Sequence, residues 1–410
     1  MRVYVINQRN EPLMPTTACK ARKLLKCGNA LVVRKEPFTI KIKVSTGETR
    51  QEVIAGMNTG SKKIGCAAIS NGEVLYQSEI EIRNNVHKKM DQRRMYRRSR
   101  RGRKTRYRKP RFLNRGSSRK KGRLAPSIRS KIDSHLREKK FVESILPVTY
   151  WRVETASFDI HKITNPDVSG KGYQKGVQKD FYNVKAYVLS RDKYTCQKCK
   201  TKKGSLHVHH LTFKSNGGTD TPENLITLCA SCHSKLHSGE FLLKGKTSKT
   251  KHATEMGIIK SQLEDQFGEF YKVFGYETKF KREQVLGFSK THYNDAVSIC
   301  CDEDNDVSIN NLVYYKKHVS GGDYQQNKGI RSEIRIPTGK LFGLRKFDYI
   351  KTLKGNGFIK GKRTSGSFVI YSLDGINSFN ITVKKDRKGN PRVTRLRARS
   401  TTLIERVNVK

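Results

Sequence analysis

Two Cys-x-x-Cys pairs, Cys196/Cys199 and Cys229/Cys232, are separated by 29 residues in a chain of 410. No other feature of the sequence restricts local folding as tightly. Four thiolates in two such knuckles close a tetrahedral zinc site. With all four positions filled by protein, the ion is expected to be structural Zn²⁺, stapling a segment too small to hold itself together. The chain has nine cysteines, an odd number, and its N-terminus (MRVYVINQRNEPL) has no apolar h-region. Both facts favour metal over disulfides and a cytoplasmic setting over secretion. No run of 18 apolar residues occurs, so no membrane span is expected.

Charge narrows the partner. Lys and Arg number 85 against 36 Asp and Glu, a net charge of +49. Such a chain repels itself when free, so a standing polyanion is expected, and nucleic acid is the obvious one. Between residues 93 and 123, 17 of 31 positions are basic and none is acidic. The stretch RRMYRRSRRGRKTRYRK has no apolar stripe at any period. Alone it should be coil; neutralised by phosphates it becomes a helix. Arginine forks suit phosphate oxygens, which makes Arg93, Arg94, Arg97, Arg98, Arg100, Arg101, Arg103, Arg106 and Arg108 the candidate contacts. A solvated tail is the alternative, and the internal position argues against it. A second basic region closes the chain, with 18 Lys or Arg against 4 acidic residues from Lys340 to Lys410.

Length suggests two or three domains. Residues 1–50 read as a small module: a strand (VYVI), a turn around Pro12 and Pro15, a basic helix (Ala21 to Cys27) and two strands, ALVVRK and FTIKIKV. EVIAGMNTG, KKIGCAAIS and GEVLYQSEIEI, split by NTGS and NG, predict an antiparallel meander. VTYWRVETASFD is a buried-strand pattern, and GKGYQKG a linker. Glu255 to Phe274 carries a helix signal, GYETKF reads as a strand and HYNDAVSIC as a helix start. The last 78 residues are strand-rich. No internal repeat is present.

Histidines cluster beside the knuckles, in LHVHHL and CHSKLH. If HVHH is a strand, His207 and His209 share one face and His210 the other. On a following helix His233 and His237 also share a face. With Asn224 nine residues before His233, this arrangement resembles the HNH, or ββα-metal, nuclease motif. The resemblance implies His210 as the general base, Asn224 as its brace, and His209 and His233 as ligands of a catalytic Mg²⁺ (or Mn²⁺), with His237 as a third. It gives His207 no role. A mere completion of a zinc finger is the bland alternative, but four cysteines already saturate zinc.

Further chemistry-bearing residues are scattered: GMNTGSKKIG around Asn58, Glu154 in WRVETASFD, and His292 and Asp295 in KTHYNDAVSIC. Buried carboxylates are costly unless paired or metal-bound. Together these could form a two-ion phosphodiesterase site. On spacing alone, a structural role is the other reading. Their order along the chain, around an arginine-rich segment and the HNH insertion, resembles a split RuvC domain of RNase H-like fold. The PLMP tetrapeptide (Pro12 to Pro15), followed by RKLLKCGNALVVRKEPFTIKI, resembles the IscB family, transposon-encoded relatives of the RNA-guided CRISPR nucleases.

That resemblance implies an α/β multidomain fold. Its parts are a PLMP module (1–50), an RNase H-like (RuvC) core in three segments (51–90, 126–172 and 251–325), an arginine-rich bridge helix (91–125), a zinc-containing HNH insertion (173–250) and a basic β-rich C-terminal domain (326–410). It implies an RNA-guided DNA endonuclease, a monomeric ribonucleoprotein of the prokaryotic nucleoid. The partners would be a guide omega RNA (ωRNA) and double-stranded DNA with a short flanking motif read by the C-terminal domain. HNH would cut the guide-paired strand. RuvC, with Glu154, His292 and Asp295, would cut the displaced one using Mg²⁺. Position 58 departs from the pattern: the family has Asp, this chain Asn, a poor ligand for a divalent ion, so RuvC cleavage should be impaired. Two other classes remain: a guide-free HNH endonuclease, and an RNA-binding protein with decayed nuclease sites.

Overall fold

The computed structural model describes residues 2–47, 49–104, 122–156, 184–213, 222–243, 253–302, 307–308, 311–321, 340–383 and 393–409. It divides into two compact units, residues 1–157 with 263–410, and residues 158–262. Among the described residues no helix is long and apolar enough to cross a membrane.

The chain opens with β1 (Arg2–Ile6), β2 (Pro12–Thr17), α1 (Ala18–Lys26), β3 (Ala30–Arg34) and β4 (Thr39–Ile42), whose strands lie in the order β2-β1-β4-β3. Thr17 caps α1 by accepting from the Lys20 N–H at 3.3 Å. Alternate residues Val3, Val5, Ile40 and Ile42 join Leu13 and Ala21 in the module's core. Pro12 and Pro15 lie within β2, not in a turn. β2 is an edge strand, where a missing N–H costs nothing.

The meander follows as β5 (Ile54–Asn58), β6 (Lys63–Ser70) and β7 (Glu73–Glu81), each pair antiparallel. Asn71 and Gly72, both at positive φ, make the tight β6–β7 turn. Then come α2 (Val86–Lys104), α3 (Pro126–Glu143) and β8 (Tyr150–Ala156). The second unit holds α4 (Val184–Arg191), β9 (Leu206–His210), β10 (Leu225–Cys229) and α5 (Ala230–His237); α6 (Ala253–Gln266) follows. The first unit resumes with β11 (Tyr271–Phe274), α7 (Gly275–Phe280), a π-helical turn (Lys281–Val285), α8 (His292–Cys300), β12 (Leu312–His318), β13 (Tyr349–Thr352), β14 (Gly355–Lys362), β15 (Ser367–Tyr371), β16 (Ser378–Thr382), β17 (Thr394–Arg397) and β18 (Thr402–Asn408).

Seven strands form one sheet in the order β11-β8-β5-β6-β7-β12-β18. β8 runs parallel to β5 and β11, and β12 parallel to β7. The central strands β5 and β6 are mostly apolar and buried, as strands covered on both faces are. α8 lies directly on β5 and β6, packing Ala296, Val297 and Cys300 against Ala67 and Ile69. Two glycines permit this approach. A Cβ on Gly65 would sit 1.7 Å from the His292 carbonyl oxygen, and one on Gly56 2.5 Å from that of Ala296. On the strand–helix side of α3, Glu138 accepts from Lys316 Nζ (2.8 Å), Tyr76 (2.6 Å) and Ser78 (3.0 Å), all buried, tying the helix to β7 and β12.

The basic segment is helical through Lys104, the form expected of it once its charges are offset. α2 starts from buried Val86, and Asp91 meets His87 and Arg94 at 3.0 Å, offsetting part of the repulsion. Arg106, Arg108 and the GKGYQKG linker lie outside the described residues. GYETKF is helix rather than strand, because the Glu277 carboxylate accepts from the Phe274 N–H at 3.1 Å and starts a helical turn. The preceding helix stops at Gln266, and residues 271–274 are strand β11. At the C-terminus, β13 to β17 form an antiparallel five-stranded sheet around Ile350, Ile359, Phe368 and Ile370, while β18 leaves it to pair with β12.

Candidate functional site

In the second unit β9 and β10 pair antiparallel, His209 opposite Ile226 and His210 opposite Leu225, and α5 follows at once. The four sulfur atoms of Cys196, Cys199, Cys229 and Cys232 all lie within 4.8 Å of one another, with Cys199 Sγ to Cys229 Sγ at 3.6 Å. Zn–S bonds of ~2.3 Å place tetrahedral sulfurs about 3.8 Å apart, so the set fits zinc. Cys229 also caps α5 by accepting from the Cys232 N–H at 3.4 Å. Burial opposes ionisation of Cys196, but N–H groups of Cys199, Cys229 and Lys198 outweigh it and bring the thiol down to about 6. Burial and the surrounding sulfurs push Cys232 up to about 12. The unit's core is built on the cysteines themselves, with Leu228 and partly buried Leu206, Ile226 and Leu236.

The end of β9 and the face of α5 bring three imidazoles together. One ring nitrogen each of His209, His233 and His237 lies within 4.8 Å of the others. Rings of His233 and His237, one helical turn apart, have centroids 4.6 Å from each other, and His209 is 5.1 Å from both. Three nitrogens so close suit one divalent ion at about 2.1 Å. Burial first, then the neighbouring imidazoles, depresses the pKa of His209 and His233, keeping both in the neutral, ligating form near pH 7.

His207, on the face it shares with His209, stacks on His233 at 5.1 Å and 28°. The alternation along β9 foretold the shared face but not this contact, because His233 belongs to another element. His210 is the last residue of β9 and is partly buried. Asn224, buried in a short 3₁₀ turn, accepts from the Thr212 N–H at 2.8 Å and donates to the Thr212 carbonyl at 3.0 Å. It thereby clamps the backbone two residues past His210. Arg191 holds the same turn, donating to the carbonyls of Pro222 at 2.6 Å and Leu225 at 2.9 Å.

The first unit brings a second set together. Asn58 at the end of β5 donates its amide to Glu154 of β8 at 3.4 Å and to Asp295 of α8 at 3.2 Å. Arg282, 4% exposed and unforeseen from the sequence, donates to Asp295 at 2.5 Å. His292 heads α8 with Nδ1 buried and without a hydrogen-bond partner, and burial lowers its pKa. Glu154, His292 and Asp295 do not converge as the thiolates and imidazoles do. Among the described residues, only those two groups of three or more Cys, His, Asp or Glu have all their ligand atoms within 4.8 Å of one another. An amide and a guanidinium supply hydrogens where bridging ions need oxygen, so this cluster as built does not fit the expected Mg²⁺ pair. Seven of the arginines singled out (Arg93, Arg94, Arg97, Arg98, Arg100, Arg101 and Arg103) lie on α2.

Comparison with known proteins gives two matches along the chain. Residues 3–176 match the family model described as RRXRR protein, and residues 97–101 (Arg-Arg-Ser-Arg-Arg) spell that pattern. Residues 196–239 match the HNH endonuclease model. The chain is 37% identical over 62 residues to the type IV methyl-directed restriction enzyme EcoKMcrA of Escherichia coli (strain K12), covering 13% of this chain and 22% of that enzyme. It is 40% identical over 53 residues to anaredoxin of Nostoc sp. (strain PCC 7120), covering 13% of this chain and 70% of that protein. The unit with the thiolate knuckles and the imidazole trio is thus matched as an HNH endonuclease domain, in a chain that also carries an RRXRR segment and spans only 22% of the restriction enzyme it resembles.

Proposed function

We propose that this protein is an RNA-guided DNA endonuclease of IscB type, in which the HNH unit hydrolyses the guide-paired strand and the second site is impaired. The observation that carries the reading is the convergence of His209, His233 and His237 at the tip of a ββα unit held by four cysteines. A divalent ion bound there, Mg²⁺ or Mn²⁺, supplies charge stabilisation at the scissile phosphate. His210, neighbouring His209 on β9, would take the proton from the attacking water. Asn224 holds the backbone after it, so the base keeps its direction.

RNA guidance draws support from three features. The RRXRR segment ends beyond α2, where seven arginines sit on one helix of a chain with a net charge of +49. The antiparallel β5-β6-β7 meander, extended by parallel β8 and β11, agrees with the strand order that an RNase H-like core would have. The trio of Asn58, Glu154 and Asp295 lies at its centre. Guide RNA phosphates would bind α2, and base pairing would select the DNA.

The test is a supercoiled plasmid carrying the guide-matched sequence, with guide RNA and Mg²⁺. Nicked circles are expected from this chain with Asn58, and linear product from Asn58→Asp. Efficient linearisation by the Asn58 chain contradicts the reading. The likeness to a restriction enzyme favours a second reading, guide-free HNH cleavage, which scission in the absence of RNA would establish.

A further inference from the structure

Four aromatic side chains within ten residues stand in solvent on β11 and α7: Tyr271 (64% exposed), Phe274 (44%), Tyr276 (65%) and Phe280 (52%). β11 is the edge of the seven-stranded sheet. Single exposed apolar residues need no explanation, but four large rings within ten residues, two of them paired, mark a candidate contact surface. These rings are held in place. The Phe274 N–H bonds Glu277, the Thr278 hydroxyl donates to the Phe274 carbonyl at 3.2 Å, and the Phe274 and Tyr276 rings lie 5.6 Å apart at 31°. Tyr271 stands edge-on to Tyr150 at 5.2 Å.

Their position gives them a partner. Phe274 and Tyr276 flank Gly275, and a Cβ on Gly275 would lie 3.2 Å from Glu154 Oε1. The ring pair therefore starts at the wall of the Asn58, Glu154 and Asp295 cluster. We propose that these rings are a stacking platform for unpaired nucleotides, which leads a single strand of nucleic acid along the sheet edge past that cluster. The proposal rests on the nuclease reading of the chain. Flat rings accept any base by its π-face, which suits a strand selected by pairing elsewhere. Local charge is close to balanced: Lys272 pairs with Glu264 at 2.9 Å, and Lys279 stands 3.9 Å from Glu283. Grip at this edge thus comes from stacking, while the chain's overall +49 attracts the phosphates.

The experiment irradiates the full chain with a single-stranded DNA oligonucleotide carrying 5-iododeoxyuridine and maps cross-linked peptides by mass spectrometry. Cross-links at Phe274 and Tyr276 are expected. Their total yield should fall at least about fivefold in Phe274→Leu/Tyr276→Leu, which keeps apolar side chains and so the melting temperature, but removes the rings. Cross-links confined to other segments, or an equal yield in the double variant, overturn the proposal. So does self-association that the double variant abolishes, since the face would then bind a second copy. Nicking of guided plasmid without cross-links here removes the platform and leaves the nuclease reading; cross-links here with no nicking under any divalent ion do the reverse.

Discussion

Asn224 and the histidines show how the HNH centre depends on single side chains. Asn224 makes two hydrogen bonds to the backbone of Thr212, both within 3.0 Å. Asn224→Ala leaves that N–H and carbonyl without these partners, so the segment after His210 loses its anchor. Nicking should fall about 10- to 100-fold while zinc content stays constant; unchanged rates would show that the clamp is irrelevant. pH acts through His209 and His233, whose pKa values burial and neighbouring imidazoles depress. The unfolded chain, with histidine near 6.5, takes up protons first as pH falls. The contribution of these groups to stability is therefore complete above about pH 6.5 and is lost as pH drops through the lower folded values. Protonation also removes the lone pairs that hold an ion. Initial nicking rates should drop at least about tenfold from pH 7.5 to 5.0; a flat profile contradicts neutral imidazoles as ligands.

At the scale of elements, the zinc knuckles carry the second unit. Its core consists of the cysteines and a few flanking apolar residues, too little to offset chain entropy without the ion. Chelation with a strong zinc ligand should remove amide protection from β9, β10 and α5 while β5, β6, β7 and α8 keep theirs, read by hydrogen exchange. Protection retained in both units would refute a structural ion. The same knuckles explain why this unit was legible in the sequence: its ligands come largely in short spacings, three or four positions apart, and their chemistry survives any error in the flanking strands. Longer-range features were not legible. The Glu138–Lys316 pair joins residues 178 apart, and Arg282 finds Asp295 only because the π-helical turn folds back on α8. GYETKF looks like a strand by its aromatic content, yet a carboxylate three residues on turns it into helix. The prolines of PLMP signal a turn by propensity, and only their place on a sheet edge makes a strand possible.

The whole molecule combines a basic exterior with two differently equipped centres. The imidazole trio gathers ion-ligating nitrogens, whereas Asn58 and Arg282 already occupy the carboxylates of the second cluster with hydrogen bonds. The first centre offers nitrogens to an ion, while the carboxylates of the second are taken up by hydrogen bonds from an amide and a guanidinium. The central claim is tested most directly by strand-resolved cleavage of a guide-matched duplex labelled differently on each strand, with guide RNA and Mg²⁺. The account predicts scission of the guide-paired strand alone, abolished by His210→Ala. Equal cutting by His210→Ala, or the same cutting with RNA withheld, would contradict it.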